Sequence, residues 1–162
     1  MEIFYFVEKR LNRYIEHFIN DGGDINIKNI SSDYTPLMHA LYYKINKDII
    51  ELLIDNGANV NAQDKYDNTP LMVALWRKND KDIIELLIDN GADLNAQDEF
   101  GYTPLIVALR NENNKDIIQL LLDNGADDNL EILKEELKEC DYKTEMLLFI
   151  DEYYNNINYV IK

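Results

Sequence analysis

Length, composition and charge restrict what kind of protein this chain can be. It has 162 residues, 46% of them apolar, with two histidines, one cysteine and a net charge of −15. That length suits a single domain with a continuous core. One cysteine excludes an internal disulfide framework, and no stretch approaches the roughly 18 consecutive apolar residues of a membrane span. We therefore expect one cytoplasmic domain over residues 1–162.

The first segment, residues 1–34, has the pattern of a degenerate structural unit. Arg10 to Asn20 takes the place of the second helix of a unit, and Gly22-Gly-Asp-Ile-Asn26 parallels Gly57-Ala-Asn-Val-Asn61 further along the chain. No Thr-Pro pair opens this segment, unlike the units that follow. We expect it to cap the N-terminal end of an array.

The central part of the chain is an internal repeat with a period of 34 residues. Thr-Pro-Leu-x-x-Ala-Leu begins at Thr35, Thr69 and Thr103, and each copy continues with Lys-Asp-Ile-Ile and Asp-Asn-Gly-Ala. A fixed period of roughly 20 to 50 residues is typical of stacked units that cannot bury their apolar faces alone. The pattern therefore predicts a solenoid. Its repeats occupy residues 35–68, 69–102 and 103–129.

Local signals predict two helices and a turn in each repeat. The opening threonine can cap the first helix, and the proline after it suits a first helical turn. In the second helix Ile49, Leu52 and Leu53 form one apolar stripe, and Gly57 can end the helix in a left-handed conformation. Short polar side chains can bond the backbone of the connecting finger; they are Asn61, Asp64, Asn95, Asp98 and Asn129.

The sequence pattern of the last segment, residues 130–162, predicts two amphipathic helices that cap the C-terminal end of the array. Apolar side chains recur there at helical spacing; they are Leu130, Leu133 and Leu137, then Met146, Phe149, Ile150, Tyr153 and Ile157. Glutamate and lysine residues between 131 and 139 provide the polar outer face that a terminal repeat needs.

The repeated motifs resemble those of the ankyrin repeat family. The resemblance rests on Thr-Pro-Leu-x-x-Ala, on Asp-Ile-Ile-Glu-Leu-Leu-Ile at 48–54 and 82–88, and on Gly-Ala-Asn-Val-Asn-Ala-Gln-Asp at 57–64. It implies an all-α solenoid of helix-turn-helix units with short β-turn fingers. The chain departs from the family pattern in a loop one residue longer and in the residue after Thr-Pro-Leu, where Met38, Met72 and Ile106 replace histidine.

Positions that differ between the copies predict the surface that binds a partner. In the family that this chain resembles, finger tips and first helices line a concave groove that takes partner proteins. The predicted partner-binding residues are Tyr34, Tyr42, Tyr43, Lys65, Tyr66, Asn68, Trp76, Arg77, Glu99, Phe100, Tyr102, Arg110 and Asn111. Aromatic and arginine side chains dominate binding hot spots. The alternative is that some of these rings only pack over the next repeat.

Charge predicts the class of partner. Acidic residues outnumber basic ones in every repeat, whereas nucleic acids and anionic membranes require clustered Lys and Arg. We therefore predict a monomer that binds another protein, preferably a basic one, through a concave face that is aromatic and acidic. Two alternatives are an acidic inhibitor or immunity protein that neutralises a basic enzyme or toxin, and an effector or adaptor of a virus or intracellular bacterium that acts in the host cytosol.

Candidates for catalysis or metal binding are few. His39 stands where Val73 and Val107 stand in the other copies, which predicts a satisfied histidine on a packing face. Cys140 lies in the acidic run Lys-Glu-Cys-Asp, which predicts an inert thiol. The Asp-Asn-Gly-Ala segments lack the sixth-position glycine and closing glutamate of a calcium loop. We predict no enzyme activity, no cofactor and no metal.

Overall fold

Paired helices make up most of the described part of the chain. The computed structural model describes residues 2–111, 115–126, 144 and 147–153. Its helices are α1 (Glu2–Glu8), α2 (Asn12–Asn20), α3 (Pro36–Tyr42), α4 (Lys47–Asp55), α5 (Pro70–Trp76), α6 (Lys81–Asp89), α7 (Pro104–Arg110) and α8 (Lys115–Asp123). These ranges contain no β-strand, which confirms the prediction of an all-α solenoid.

The helices form two rows. Helices α1, α3, α5 and α7, here called the inner helices, pack side by side, and each packs against the helix that follows it, here called an outer helix. Neighbouring inner helices contact one another more extensively than neighbouring outer helices. The array therefore curves toward the inner row, and the inner helices and fingers line its concave side.

The inner helices α3, α5 and α7 begin as the sequence predicts. The hydroxyls of Thr35, Thr69 and Thr103 accept the backbone N–H three residues on, at 3.3, 3.4 and 3.4 Å. A proline follows each cap. Because these helices have only seven residues, a bond that satisfies one orphan N–H matters to each of them.

The N-terminal unit differs from its prediction at one boundary. The predicted helix from Arg10 to Asn20 begins at Asn12 instead, and a separate inner helix, α1, precedes it. Arg10 adopts a φ of +56° and its N–H donates to the carbonyl of Val7, so it ends α1 rather than starting α2. The placement of residues 1–34 and 130–162 as capping segments stays a prediction.

Inner and outer helices end in the same left-handed turn but with different residues. At the end of α3, Lys44 has a φ of +50° and the N–H of Ile45 donates to the carbonyl of Ala40 at 2.9 Å. At the end of α4, Gly57 has a φ of +87° and the N–H of Ala58 donates to the carbonyl of Leu53 at 2.9 Å. Both are Schellman-type ends. Glycine was the predicted stop of the outer helices, and that prediction is confirmed.

The repeats are joined by a buried core and by asparagine bridges. Asn61 was expected to bond its own turn, but its Nδ2 donates to the carbonyl of Gly91 at 2.8 Å and its Oδ1 accepts the N–H of Asp93 at 2.7 Å. Asn26 makes the corresponding bonds to the repeat that follows it. These side chains therefore tie consecutive repeats together. Asn129 lies outside the described residues.

Part of the predicted C-terminal cap is described. Residues 147–153 are helical, Ile150 is buried, and the hydroxyl of Tyr153 donates to a carboxylate oxygen of Asp123 at 3.2 Å. This supports the predicted apolar stripe through Phe149, Ile150 and Tyr153. The other residues of that prediction lie outside the described ranges; they are Leu130, Leu133, Leu137, Met146 and Ile157, and Cys140 lies there too.

Candidate functional site

The turn at the tip of each finger is stabilised by the side chain of a buried aspartate. Oδ1 of Asp64 accepts the backbone N–H groups of Tyr66 at 2.8 Å and Asn68 at 2.9 Å. Asp98 does the same in the next repeat, accepting from Phe100 and Tyr102, both at 2.9 Å. This confirms the predicted role of both aspartates. These internal hydrogen bonds order the turn, so the side chains at its tip remain exposed to solvent.

Neighbouring fingers are also bonded to each other. The N–H of Lys65 donates to the carbonyl of Ser32 at 3.3 Å, and the N–H of Glu99 donates to the carbonyl of Tyr66 at 3.0 Å. The ammonium of Lys65 reaches the carbonyl of Ser31 at 2.9 Å. The finger tips therefore form one continuous row along the inner helices.

An aromatic cluster spans the finger of the first repeat and the inner helices α1 and α3. It consists of Phe4, Tyr34, His39, Tyr42 and Tyr43. The ring centroids of Tyr34 and Tyr42 are 5.7 Å apart, and those of Tyr42 and Tyr43 are 5.1 Å apart. His39 lies between Tyr43 at 4.6 Å and Phe4 at 5.5 Å. Three of the predicted binding residues thus form one contiguous surface, and two of its members were not predicted.

Arg77 joins this cluster from the next repeat. Its guanidinium carbon lies 4.5 Å from the ring centroid of Tyr42, and its Nε donates to the carbonyl of Tyr42 at 2.8 Å. Stacking and a hydrogen bond together fix the orientation of the guanidinium group. The Arg77 side chain is exposed, which leaves its other guanidinium nitrogens accessible.

Further predicted residues form a second group on the later repeats. Phe100 and Tyr102 have ring centroids 6.1 Å apart, and Arg110 lies 4.9 Å from the ring of Tyr102. Lys65 lies 4.8 Å from the ring of Tyr66. The exposed fractions of Tyr66, Trp76 and Phe100 are 45%, 41% and 72%. Large rings that remain this open in a packed helical array are available to a partner.

Two of the predicted binding residues make hydrogen bonds within the fold through their side-chain amides. Asn68 is only 1% exposed, and its Nδ2 lies 3.1 Å from both carboxylate oxygens of Asp64. Asn68 is therefore a structural residue, and its assignment to the binding surface is wrong. Nδ2 of Asn111 donates to the carbonyl of Val107 at 3.1 Å, so that amide caps α7. The other predicted residues stay predictions, and Glu99 is exposed on its finger.

Burial changes the acidity of two members of the aromatic cluster. It raises the pKa of Tyr34 to about 12, with Asp64 acting in the same direction and Arg77 opposing it. Tyr34 therefore keeps its proton near neutral pH. Burial lowers the pKa of His39, against a smaller upward effect of Glu8. Nε2 of His39 is buried without a hydrogen-bond partner among the described residues, so the prediction of a satisfied histidine is wrong.

Charge is divided between the two rows of helices. Outer helices α4, α6 and α8 carry three lysines and eight carboxylates. No acidic residue occurs in the inner helices α3, α5 and α7, in the two residues that follow α3 and α5, or in the one residue that follows α7, although Glu112 comes next in the sequence. The cationic residues of these segments are Lys44, Arg77, Lys78 and Arg110. The concave face was predicted to be acidic, but its carboxylates lie on the fingers and on α1, whereas the C-terminal ends of α3, α5 and α7 carry cations.

The predicted binding residues did not include Lys44 and Lys78. They occupy corresponding positions 34 residues apart, where the third copy has Glu112, and their charge entered the prediction only as part of the net charge of the chain. Phe4 was missed because the N-terminal segment, residues 1–34, lacks the Thr-Pro signal that marks the start of an inner helix. A test of charge sign along the inner helices alone would have found both lysines.

The described ranges show neither a metal-binding cluster nor a helix that could cross a membrane. No three or more His, Cys, Asp or Glu side chains in them are grouped so that they could hold a metal ion. None of their helices combines the length and hydropathy that a membrane crossing requires.

Comparison with protein families identifies the repeats. A model described as ankyrin repeats in three copies matches residues 4–98, and a second, described as ankyrin repeats in many copies, matches residues 77–122. No curated protein matches the chain. The first match alone covers more than half of the sequence and includes the N-terminal unit that lacks Thr-Pro. Together with the paired helices and their fingers, these matches establish that the chain belongs to the ankyrin repeat family.

Proposed function

We propose that this chain is a non-catalytic module that binds a partner protein through its concave face. Ankyrin repeats are generally protein–protein interaction modules. The observation that carries the proposal for this chain is the exposure of three large aromatic rings, those of Tyr66 and Phe100 on the fingers and of Trp76 on α5. Rings of this size contribute large buried areas when a partner covers them, and they lose little side-chain entropy.

Rigidity supports the same proposal. Asp64 and Asp98 hold the finger turns from inside, and backbone hydrogen bonds link neighbouring fingers. A partner that docks here meets a surface that is already ordered. Less conformational entropy is then lost on binding than at a mobile loop. We further propose that the chain acts as a cytoplasmic monomer.

A second candidate function is neutralisation of a basic enzyme or toxin. It is supported by the excess of carboxylates on α4, α6 and α8, which would attract a basic protein and speed its association. This candidate uses the outer helices instead of the concave face. The two can therefore be separated by mutation.

The test is capture of partners by the intact protein from lysate of the native cell. The concave-face variant is Tyr66→Ala, Trp76→Ala and Phe100→Ala in one chain. Its control is Tyr14→Ala, which removes a ring that is 56% exposed on the outer helix α2. Partners captured by the native protein and the control should be lost by the concave-face variant, while circular dichroism and melting show that both variants stay folded.

Two results would contradict the concave face. Retention of every partner by the triple variant would reject it. Loss of capture by Asp82→Asn, Glu85→Gln and Asp89→Asn on α6, together with retention by the triple aromatic variant, would favour the neutralisation of a basic protein. Salt would then weaken that capture, because exposed charges are screened.

A further inference from the structure

The basic patch between α3 and α5 has the opposite sign to the molecule as a whole. The chain carries a net charge of −15, yet residues 36–44 and 70–78 contain no acidic residue. Their cations are Lys44, Arg77 and Lys78, here called the basic patch. All three side chains are exposed. Among the described residues none of the three forms an ion pair, although Lys47 and Lys81 on the outer helices do.

Arg77 brings this charge next to the aromatic cluster. Its guanidinium group is stacked on Tyr42, and its Nε is bonded to the carbonyl of Tyr42. Lys44 follows Tyr42 by two residues, and Lys78 follows Arg77 directly. A guanidinium group held in this way loses little entropy when a carboxylate binds to its free edge, and its fork matches carboxylate geometry.

Helix ends alone do not account for the two lysines. A cation at a helix C-terminus stabilises the helix dipole. However, Lys44 and Lys78 both have a φ of +50°, a left-handed conformation that glycine adopts at lower cost. The outer helices end in glycine at the same kind of position, at Gly57 and Gly91. The inner helices therefore carry exposed charge at a position where the backbone favours a residue with no side chain.

We infer that the concave face receives an acidic segment of the partner protein, whose carboxylates contact the basic patch while its apolar side chains pack on Tyr42 and Tyr43. The inference rests on the proposed function and specifies the chemistry of its partner. Complementary charge would orient the segment along the groove and keep it off the acidic outer helices.

A peptide fits this face better than a nucleic acid does. The fingers of the same repeats carry carboxylates; they are Asp33, Asp67 and Glu99. A phosphate backbone would bring regularly spaced charge past these carboxylates, which repel it. A peptide can place single carboxylates at Arg77 and the lysines and neutral residues beside the fingers.

The experiment is selection of a displayed library of random twelve-residue peptides on the intact protein. The basic-patch variant carries Lys44→Gly, Arg77→Gln and Lys78→Gly; glycine suits the left-handed turn, so the charge is removed with the helix ends preserved. The matched control carries Arg13→Gln, Lys47→Gln and Lys81→Gln on the outer helices. Both variants lose three positive charges, so any difference between them reports position and not net charge.

We expect enriched peptides that contain Asp or Glu beside aromatic or aliphatic residues. Their affinity should fall about tenfold or more in the basic-patch variant, fall with added salt, and change little in the control. Net charge alone predicts the reverse enrichment, because a chain this acidic attracts basic peptides. Acidic enrichment would therefore come from the local patch.

The outcomes separate this inference from the proposed function. Enrichment of neutral or basic peptides, no enrichment at all, or equal affinity in both charge variants overturns the acidic segment. The concave face survives that result if the selected peptides, or the captured partners, are lost by the Tyr66→Ala, Trp76→Ala, Phe100→Ala variant. Competition for the site by a twelve-nucleotide oligothymidine at equal affinity would also overturn the inference, in favour of a nucleic acid.

Discussion

Inner and outer helices of the same repeat reach stability by different means. An inner helix such as α5 begins on a buried threonine cap and ends on an exposed lysine. An outer helix such as α6 begins at Asp80 with no side-chain cap bond and ends on Gly91. An inner helix such as α5 depends on a specific cap bond and on burial of all its residues except Trp76, whereas an outer helix such as α6 buries one stripe and leaves its charges in solvent. The proposed binding surface thus lies on the row that has the side-chain caps and the larger buried fraction.

The largest expected effect on stability comes from truncating a core leucine in each of the two rows. Leu71 on α5 is fully buried, while Leu86 on α6 is partly exposed. Leu71→Ala should lower the free energy of unfolding by roughly 3 to 4 kcal/mol, because a cavity remains in a packed interior. Leu86→Ala should lower it by about half of that or less. Urea denaturation of the two variants measures the difference, and equal losses would contradict the comparison.

The helix ends provide a pair of substitutions with opposite expected signs. A Cβ on Gly57 would meet no atom within 4 Å, so only the φ of +87° opposes Gly57→Ala, which should destabilise by roughly 1 to 2 kcal/mol. Lys44→Gly should be neutral or stabilise by up to about 1 kcal/mol, because relief of the left-handed lysine offsets the added freedom of the unfolded chain. Thermal melting of both variants tests this, and a clear loss from Lys44→Gly would disprove it.

Substitutions at the N-caps of α5 and α6 should have smaller effects on stability. Thr69→Ala removes the hydroxyl that accepts the N–H of Met72 and should cost about 1 kcal/mol. Asp80→Ala removes a side chain that makes no cap bond, so its effect should be only a few tenths of a kcal/mol. Thr69→Ser is the control, because serine keeps the accepting oxygen. A loss in the serine variant as large as in Thr69→Ala would show that the methyl group matters instead.

The smallest expected effect concerns His39 on the inner row. Its pKa is lowered in the fold by burial, so the stability it contributes is present above the unfolded value of about 6.5 and is lost as pH falls through the folded value. Glu8, which acts on it in the opposite direction, stays in place. His39→Val, the residue found at 73 and 107, should flatten this acid dependence and remove a buried unpaired nitrogen. Melting temperatures between pH 5 and 8 test it, and an unchanged slope would contradict the role of His39.

Periodicity was enough to predict most of the fold. Thr69 and Pro70 mark the start of α5, and Gly91 marks the end of α6, because these residues act through local backbone geometry. Arg10 was misplaced because it ends α1 in a left-handed turn, a position at which the sequence signal for a helix end is glycine. The bridge from Asn61 to the next repeat was also missed, because a side chain that can bond its own turn can equally bond a neighbour.

The contacts of the proposed binding surface were predicted less completely than the fold. Comparison of the copies found Tyr42 and Arg77, which do come together, although their contact runs between repeats and cannot be read from either one alone. The same comparison included Asn68, since a varying polar residue gives no sign of whether it points inward. Net charge was the poorest guide to the charge of the concave face, because a sum over the chain does not say on which face each charge lies.

The asparagine bridges bear on how such an array can lengthen. Asn26 and Asn61 each supply both a donor and an acceptor to the unit that follows. Their main-chain partners are the carbonyls of Gly57 and Gly91 and the N–H groups of Asn59 and Asp93. A tandem duplication of one 34-residue block would arrive with its own bridge at one end and its own docking site at the other. Insertion of a whole block would thus leave no severed junction, whereas a shorter or longer insert would.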